Sequence, residues 1–172
     1  MKNSKEIIVR YAPSPTGHLH IGNVRTAMFN WLFARHNNGK YLMRVEDTDV
    51  QRSTKEFLQS QLKSLKWFGL LPDEPIIYQM SRVDEHKKII KDLLDKKLVY
   101  PCFCDPIDLE KKRADRTQVG KKGGYPGTCR DKNYTQEDLK KPHAIRFKIP
   151  ADIKFVEFDD VIRGKIKVHV DN

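Results

Sequence analysis

The sequence predicts an α/β protein: a parallel sheet with crossover helices, followed by a smaller α+β segment. Three observations carry this. Over the first hundred residues, short apolar runs alternate with stretches of helical apolar spacing. The first of those runs ends in a loop dense in proline and glycine, Pro13-Ser14-Pro15-Thr16-Gly17. Near Pro101 the pattern changes to a polar, turn-rich stretch and then to alternating segments. Strand–helix alternation at this spacing implies parallel strands joined by helices.

The elements follow in order. Ile7–Ala12 is a buried strand that runs into the loop. Ile21, Val24, Met28, Trp31 and Leu32 form a helical stripe, so a helix spans about 20–36, stopped by Asn37-Asn38-Gly39. Tyr41–Glu46 is a second strand. Ser53 and Glu56 have capping-box spacing before Phe57, Leu58, Leu62, Leu65 and Phe68, and Gly69 is a natural stop. Ile76-Ile77-Tyr78 is a short third strand. Ser81 is the expected cap of a helix carrying Val83, Ile89, Ile90, Leu93 and Leu94. A boundary is expected at 98–101, dividing the chain into 1–100 and 101–172. The second part has a helix from Pro106 to about Arg116 capped by Asp105. A short helical turn at Thr135 and Asp138 follows, then strands at Ala144–Ile149, Phe155–Phe158 and Lys165–Val170.

Composition limits the function classes. The chain has 172 residues, enough to bury a sizeable core. It carries 33 basic and 23 acidic residues, a net charge of +10 spread along the chain rather than gathered in a tail. That balance favours polyanionic partners such as RNA or nucleotides. Three cysteines, two of them one residue apart, make a poor disulfide framework and point to a reducing compartment. No apolar run suits a signal peptide or a membrane span. The expectation is a cytoplasmic, anion-binding protein without a membrane partner.

The sharpest signal is Arg10–Asn23. In an open parallel sheet ligands bind beyond the carboxyl ends of the strands, and free N–H groups at a helix start attract phosphate. Pro13 and Pro15 stiffen the loop, while Gly17 and Gly22 allow a close approach. His20 and Asn23, three apart, share a face of the first helical turn and can donate to phosphate oxygens during nucleotidyl transfer.

The segment His20-Ile21-Gly22-Asn23 resembles the HIGH tetrapeptide of the class I aminoacyl-tRNA synthetases, with Asn in the fourth place. On this alignment His18 is a spacer. Ala12-Pro13-Ser14-Pro15-Thr16-Gly17 is similar to the glutamyl-tRNA synthetase form, bacterial type. The match continues through Arg25-Thr26-Ala27, Asn30-Trp31, Gly39-Lys40 and Arg44-Val45-Glu46-Asp47-Thr48-Asp49. It extends to Arg52-Ser53, Trp67-Phe68-Gly69-Leu70, Gln79 and Ser81-Arg82.

The resemblance implies the first half of a Rossmann-like nucleotide-binding fold in 1–100 and an inserted connective domain in 101–172. It implies ATP-dependent activation of L-glutamate and transfer to tRNA(Glu), with Mg²⁺ accompanying ATP and no DNA partner. Arg10, Ala12, Ser14 and Glu46 would bind glutamate, Arg10 through its side-chain carboxylate. Pro13, Thr16, Gly17, His20, Gly22 and Asn23 would bind ATP, with His20 and Asn23 as the catalytic pair. Read without the resemblance, Arg10 and Glu46 are also a simple ion pair.

Cys102-Phe103-Cys104 and Cys129 supply three of the four ligands zinc wants. Some glutamyl-tRNA synthetases and their short relatives resemble this layout, with Tyr125 or Asp131 as the candidate fourth ligand. The basic run between Lys111 and Lys132 suits tRNA phosphates or a solvated face.

A lysine-rich KMSKS-type loop, which the family uses on ATP, has no counterpart here. The chain is therefore expected to be an N-terminal portion that is inactive alone, with uncovered apolar surface and weak stability. The alternatives are a glutamyl-Q tRNA(Asp) synthetase and, in another class, a non-catalytic RNA- or nucleotide-binding module.

Overall fold

The computed structural model describes residues 6–118 and 124–170. Two compact units emerge, Met1–Lys87 and Lys88–Asn172. They divide inside a helix, ahead of the 100/101 boundary that Pro101 suggests.

In the first unit β1 (Ile8–Tyr11), β2 (Lys40–Val45) and β3 (Ile77–Tyr78) form a parallel sheet in the order β1-β2-β3. Side chains of β2 alternate, with Tyr41, Met43 and Val45 buried and Lys40, Leu42 and Arg44 half-buried. α1 (Ile21–His36) crosses from β1 to β2 and packs on both. Its buried face is Val24, Ala27 and Ala34, with Trp31 half-buried. This corrects the expected stripe: Ile21, Met28 and Leu32 are exposed. The reason is size, since two alanines let the helix lie close to the sheet, which leaves room for Trp31 at the side and keeps Ile21, Met28 and Leu32 in solvent. At its end Asn38 adopts a left-handed φ of 51°. A Cβ on Gly39 would stand 2.3 Å from the Ile7 carbonyl oxygen, so only glycine lets β2 start there.

α2 (Lys55–Trp67) crosses from β2 to β3. Its N-cap is Thr54, not Ser53: the Thr54 hydroxyl accepts from the Phe57 N–H at 3.1 Å. Tyr11, Tyr41, Met43, Leu65 and Leu70 close the core over the helices' inner faces. Asp73 ties the edge: its carboxylate accepts from the Tyr41 N–H at 2.7 Å and from both terminal nitrogens of Arg35.

A 3₁₀ turn (Met80–Arg82) leads into α3 (Val83–Asp95). Ser81 does not cap α3; it lies in the turn and donates to the Tyr78 carbonyl at 2.7 Å. α3 has no fully buried residue.

The second unit holds two separate antiparallel ribbons. β4 (Val99–Cys102) pairs with β5 (Ala144–Phe147), and β6 (Phe155–Asp160) with β7 (Gly164–His169). β4 is the strand that the sequence hides, because Pro101 reads as a break. Here Pro101 sits opposite Ile145 in the ribbon, where its missing N–H is tolerated. α4 (Pro106–Gln118) has the expected Asp105 cap, which accepts from the Ile107 N–H at 2.7 Å. Thr135 and Asp138 bond reciprocally around a 3₁₀ turn, Asp138–Lys140. The β6–β7 hairpin turns at Asp160, whose carboxylate accepts from the Ile162 and Arg163 N–H groups.

Candidate functional site

The parallel strands bring their carboxyl ends to one edge, and the chain leaves that edge at Ala12, Glu46 and Gln79. The first exit is the loop from Ala12 to the start of α1. The Glu46 N–H donates to the Pro13 carbonyl at 2.8 Å, so β1 and β2 remain zipped one step into the loop. The Thr54 N–H donates to the Pro15 carbonyl at 3.1 Å. The side chains of Ser14, Thr16 and Asn23 have no hydrogen-bond partner among the described residues.

His20 is the N-cap of α1. Its Nδ1 accepts from the Gly22 N–H at 3.2 Å, which leaves the ring proton on Nε2. Its carbonyl accepts from the Asn23 and Val24 N–H groups. A Cβ at Gly22 would meet the imidazole at 3.0 Å, so the glycine is what gives the ring its capping position. His18, by contrast, turns back onto α2: it meets Phe57 edge-on at 5.1 Å and lies 3.1 Å from the Ser60 hydroxyl.

Arg10 and Glu46 pair at 3.2 Å, both part-exposed. Arg44 reaches the same Glu46 oxygen at 2.9 Å. Thus one carboxylate is held between two guanidinium groups at the ends of neighbouring strands. Arg44 was not expected at this site; its alternation with buried Met43 and Val45 places it on Glu46's side of the sheet. Gln61 was also missed. It is a polar residue at a core position of α2, and it bonds the carbonyls of Ser14 and Gly17.

In the second unit, Cys102, Cys104 and Cys129 place their sulfur atoms within 4.8 Å of one another. All three are free thiols. The Tyr125 hydroxyl is 3.2 Å from Cys102 Sγ and 3.6 Å from Cys104 Sγ, and it accepts from the Cys129 N–H at 2.9 Å. Burial raises the Cys102 thiol, but hydrogen bonds from Tyr125 and Arg146 outweigh it and bring the group down to about 6. Burial raises Cys104 and, together with the three sulfurs, Tyr125. The Arg146 guanidinium stacks over the Tyr125 ring at 3.8 Å. Three thiols and a phenol oxygen converging on one point form a donor set that suits a thiophilic metal. Asp131 stands apart from the cluster, paired with Lys148 at 2.9 Å. Residues 119–123, in the middle of the basic run, lie outside the described residues.

A parallel sheet with a capped helix start after its first strand, and a loop tied down behind it, is the frame of a class I synthetase catalytic domain. The family model for tRNA synthetases class I (E and Q), catalytic domain, matches residues 6–172, and the chain belongs to that family. It is 48% identical over 158 residues to a glutamate–tRNA ligase of Thermodesulfovibrio yellowstonii, covering 92% of this chain and 33% of that protein. It is 47% identical over 167 residues to one of Hydrogenobaculum sp., covering 95% and 36%. Among solved structures it is similar to the glutamate–tRNA synthetase of Elizabethkingia anophelis, with a TM-score of 0.79 and 34% identity over 96% of this chain and 37% of that one. The chain therefore spans about a third of the length of the relatives it matches. Among the described residues, no helix is long and apolar enough to cross a membrane.

Proposed function

We propose that this chain forms the glutamate- and ATP-binding part of a glutamate–tRNA ligase that uses ATP with Mg²⁺ and charges tRNA(Glu). The observation that carries this reading is the Arg10–Glu46 pair, at the ends of adjacent parallel strands beside the α1 start. L-Glutamate carries the complementary charges. Its side-chain carboxylate fits the Arg10 fork bidentately, and its ammonium group fits Glu46, with Arg44 keeping that carboxylate in place. Ala12 and Ser14, the first residues past β1, would line the same site.

The α-carboxylate of glutamate then attacks the α-phosphorus of ATP. A new O–P bond forms, the bond to the bridging oxygen breaks, and pyrophosphate leaves with its electron pair. Mg²⁺ supplies charge neutralisation on the phosphates when bound. Pro13, Thr16, Gly17 and Gly22 would line the ATP site. His20 would act through Nε2–H, and Asn23 through its amide, on oxygens that gain charge in transfer. Orientation and electrostatics, rather than covalent chemistry, carry the rate. A hydroxyl of the tRNA's terminal ribose would then attack the acyl carbon of the adenylate, forming the ester as the acyl–phosphate bond breaks and AMP leaves. Residues 1–100 are read as the first half of the catalytic nucleotide-binding domain, and 101–172 as the inserted connective domain. Cys102, Cys104, Cys129 and Tyr125 would hold a zinc ion that cross-links β4 to the Tyr125–Cys129 turn. The names of the relatives favour this reading over a glutamyl-Q tRNA(Asp) synthetase or a non-catalytic module. A cytoplasmic location fits the three unpaired thiols.

The test is glutamate-dependent ATP–pyrophosphate exchange. The natural gene product carrying this sequence should catalyse it, and residues 1–172 alone should not. Exchange driven by another amino acid, with none for glutamate, would overturn the assignment.

A further inference from the structure

Gln61 is the one buried polar residue among the described residues, 2% exposed on the inner face of α2 and one turn before the fully buried Leu65. A buried amide is costly unless its hydrogen-bonding groups are used. Gln61 uses its NH₂ group twice, donating to the Ser14 carbonyl at 3.1 Å and to the Gly17 carbonyl at 2.7 Å. Both neighbours are acceptors, so only the NH₂ end of the amide can face them. Its Oε1 is left buried with no partner. Methionine would fill this space without that cost. What the amide adds is a clamp across the turn from Ser14 to Gly17.

The clamp completes a pattern. The carbonyls of Pro13, Ser14, Pro15 and Gly17 are all engaged, by Glu46, Gln61, Thr54 and Gln61 respectively. Pro13 and Pro15 have no N–H. Among the described residues, the N–H groups of Ser14, Thr16 and Gly17 donate to nothing in the chain. From Pro13 to Gly17, four of the five carbonyls are thus tied back, all but that of Thr16, while the donors are left over, which is the balance an anion requires. A turn free to rotate would present carbonyl oxygens to a phosphate and repel it.

We propose that Gln61 is a positioning residue for ATP, holding the Ser14–Gly17 turn so that its N–H groups face the phosphates. This rests on the functional reading above and adds to it a residue from α2 that touches no substrate. The test uses the natural gene product and Mg²⁺–ATP titrated by calorimetry without glutamate. Gln61→Met keeps the volume, and Gln61→Glu keeps the shape but cannot donate when ionised. Each should bind ATP about 10-fold more weakly, the scale expected when buried acceptors lose their donors. In exchange assays the KM for ATP should rise in step and by more than the KM for glutamate, because the clamp holds Ser14, which lines the glutamate site, but not the charged pair Arg10 and Glu46. Leu65→Ala, a pure packing loss on the same helix, should lower the melting temperature and leave ATP affinity within about 2-fold. Wild-type ATP affinity in Gln61→Met, or an equal loss in Leu65→Ala, would overturn the proposal. A wild-type protein that binds ATP but shows no glutamate-dependent exchange would instead overturn the functional reading, with the clamp still measurable by calorimetry.

Discussion

The two units hold themselves together by different means. In the first, a parallel sheet is covered by helices, and eight buried side chains from β1, α1, β2, α2 and the segment after it form one apolar cluster. In the second, the buried cluster is Tyr100, Cys102 and Cys129, with Cys104 and Tyr125 packed against it. Its helix α4 buries nothing fully, and its β6–β7 hairpin leaves Phe155, Val156, Phe158 and Val168 exposed. The first unit thus carries a hydrocarbon core of its own, whereas the second is centred on sulfur. The lesson is that the same chain packs its two parts differently: one around buried hydrocarbon, the other around three thiols and two tyrosines.

The largest expected effect tests that contrast directly. Structural zinc contributes on the order of 10 kcal/mol to small metal-held folds. Cys129→Ser should abolish the one zinc per chain expected by elemental analysis and make the β4–β5 ribbon sensitive to protease, with the first unit still protected. Metal-free protein with a protected ribbon would erase the contrast. Next in size, Arg10→Ala should cut kcat/KM for glutamate roughly a thousandfold, since removing one side of a charge pair typically costs about 2–5 kcal/mol. Its melting temperature should barely move, because the Arg10–Glu46 pair is part-exposed. Leu65→Ala should destabilise the first unit by about 2–5 kcal/mol, measured by denaturant melts, and leave zinc content unchanged.

A smaller effect is pH-dependent. The Asp73 carboxyl is held below its ordinary value, chiefly by its hydrogen bond to Arg35 and then by the Tyr41 N–H. A depressed carboxylate stabilises the fold above its unfolded pKa, and the contribution disappears as pH falls through the lower folded value. Asp73→Asn should therefore melt lower than wild type at pH 7, with the gap closing below about pH 4. A gap that persists in acid would show that Asp73 acts by something other than its charge. Smallest is the cap: Thr54→Ala should cost about 1 kcal/mol, and Ser53→Ala less.

Much of the first unit was legible because its signals are local. β1, α1, β2, α2 and β3 follow from runs, stripes and turn residues within a few positions of one another. The loop at 13–17 and the helix start near residue 20 belong to the same local grammar. Misreadings occurred where two local signals competed. Ser53 and Thr54 both suit a cap, and the register of Phe57 decided for Thr54. Ile21, Met28 and Leu32 have helical spacing, yet Ala27 and Ala34 face the sheet. Pro101 reads as a break in secondary structure and is a strand residue.

By itself the sequence determined the order of elements in the first unit, the proline- and glycine-rich loop, a helix starting near residue 20 and the presence of three thiols. Only the tertiary structure decided which distant groups meet. Gln61 lies 44 residues from Gly17, Glu46 36 residues from Arg10, and Cys129 25 residues from Cys104. Backbone preference acts over a turn or two of chain, whereas these pairings depend on where the chain returns after a whole element. The return is fixed by the burial of β2 and α2 in the first unit and by the β4–β5 ribbon in the second.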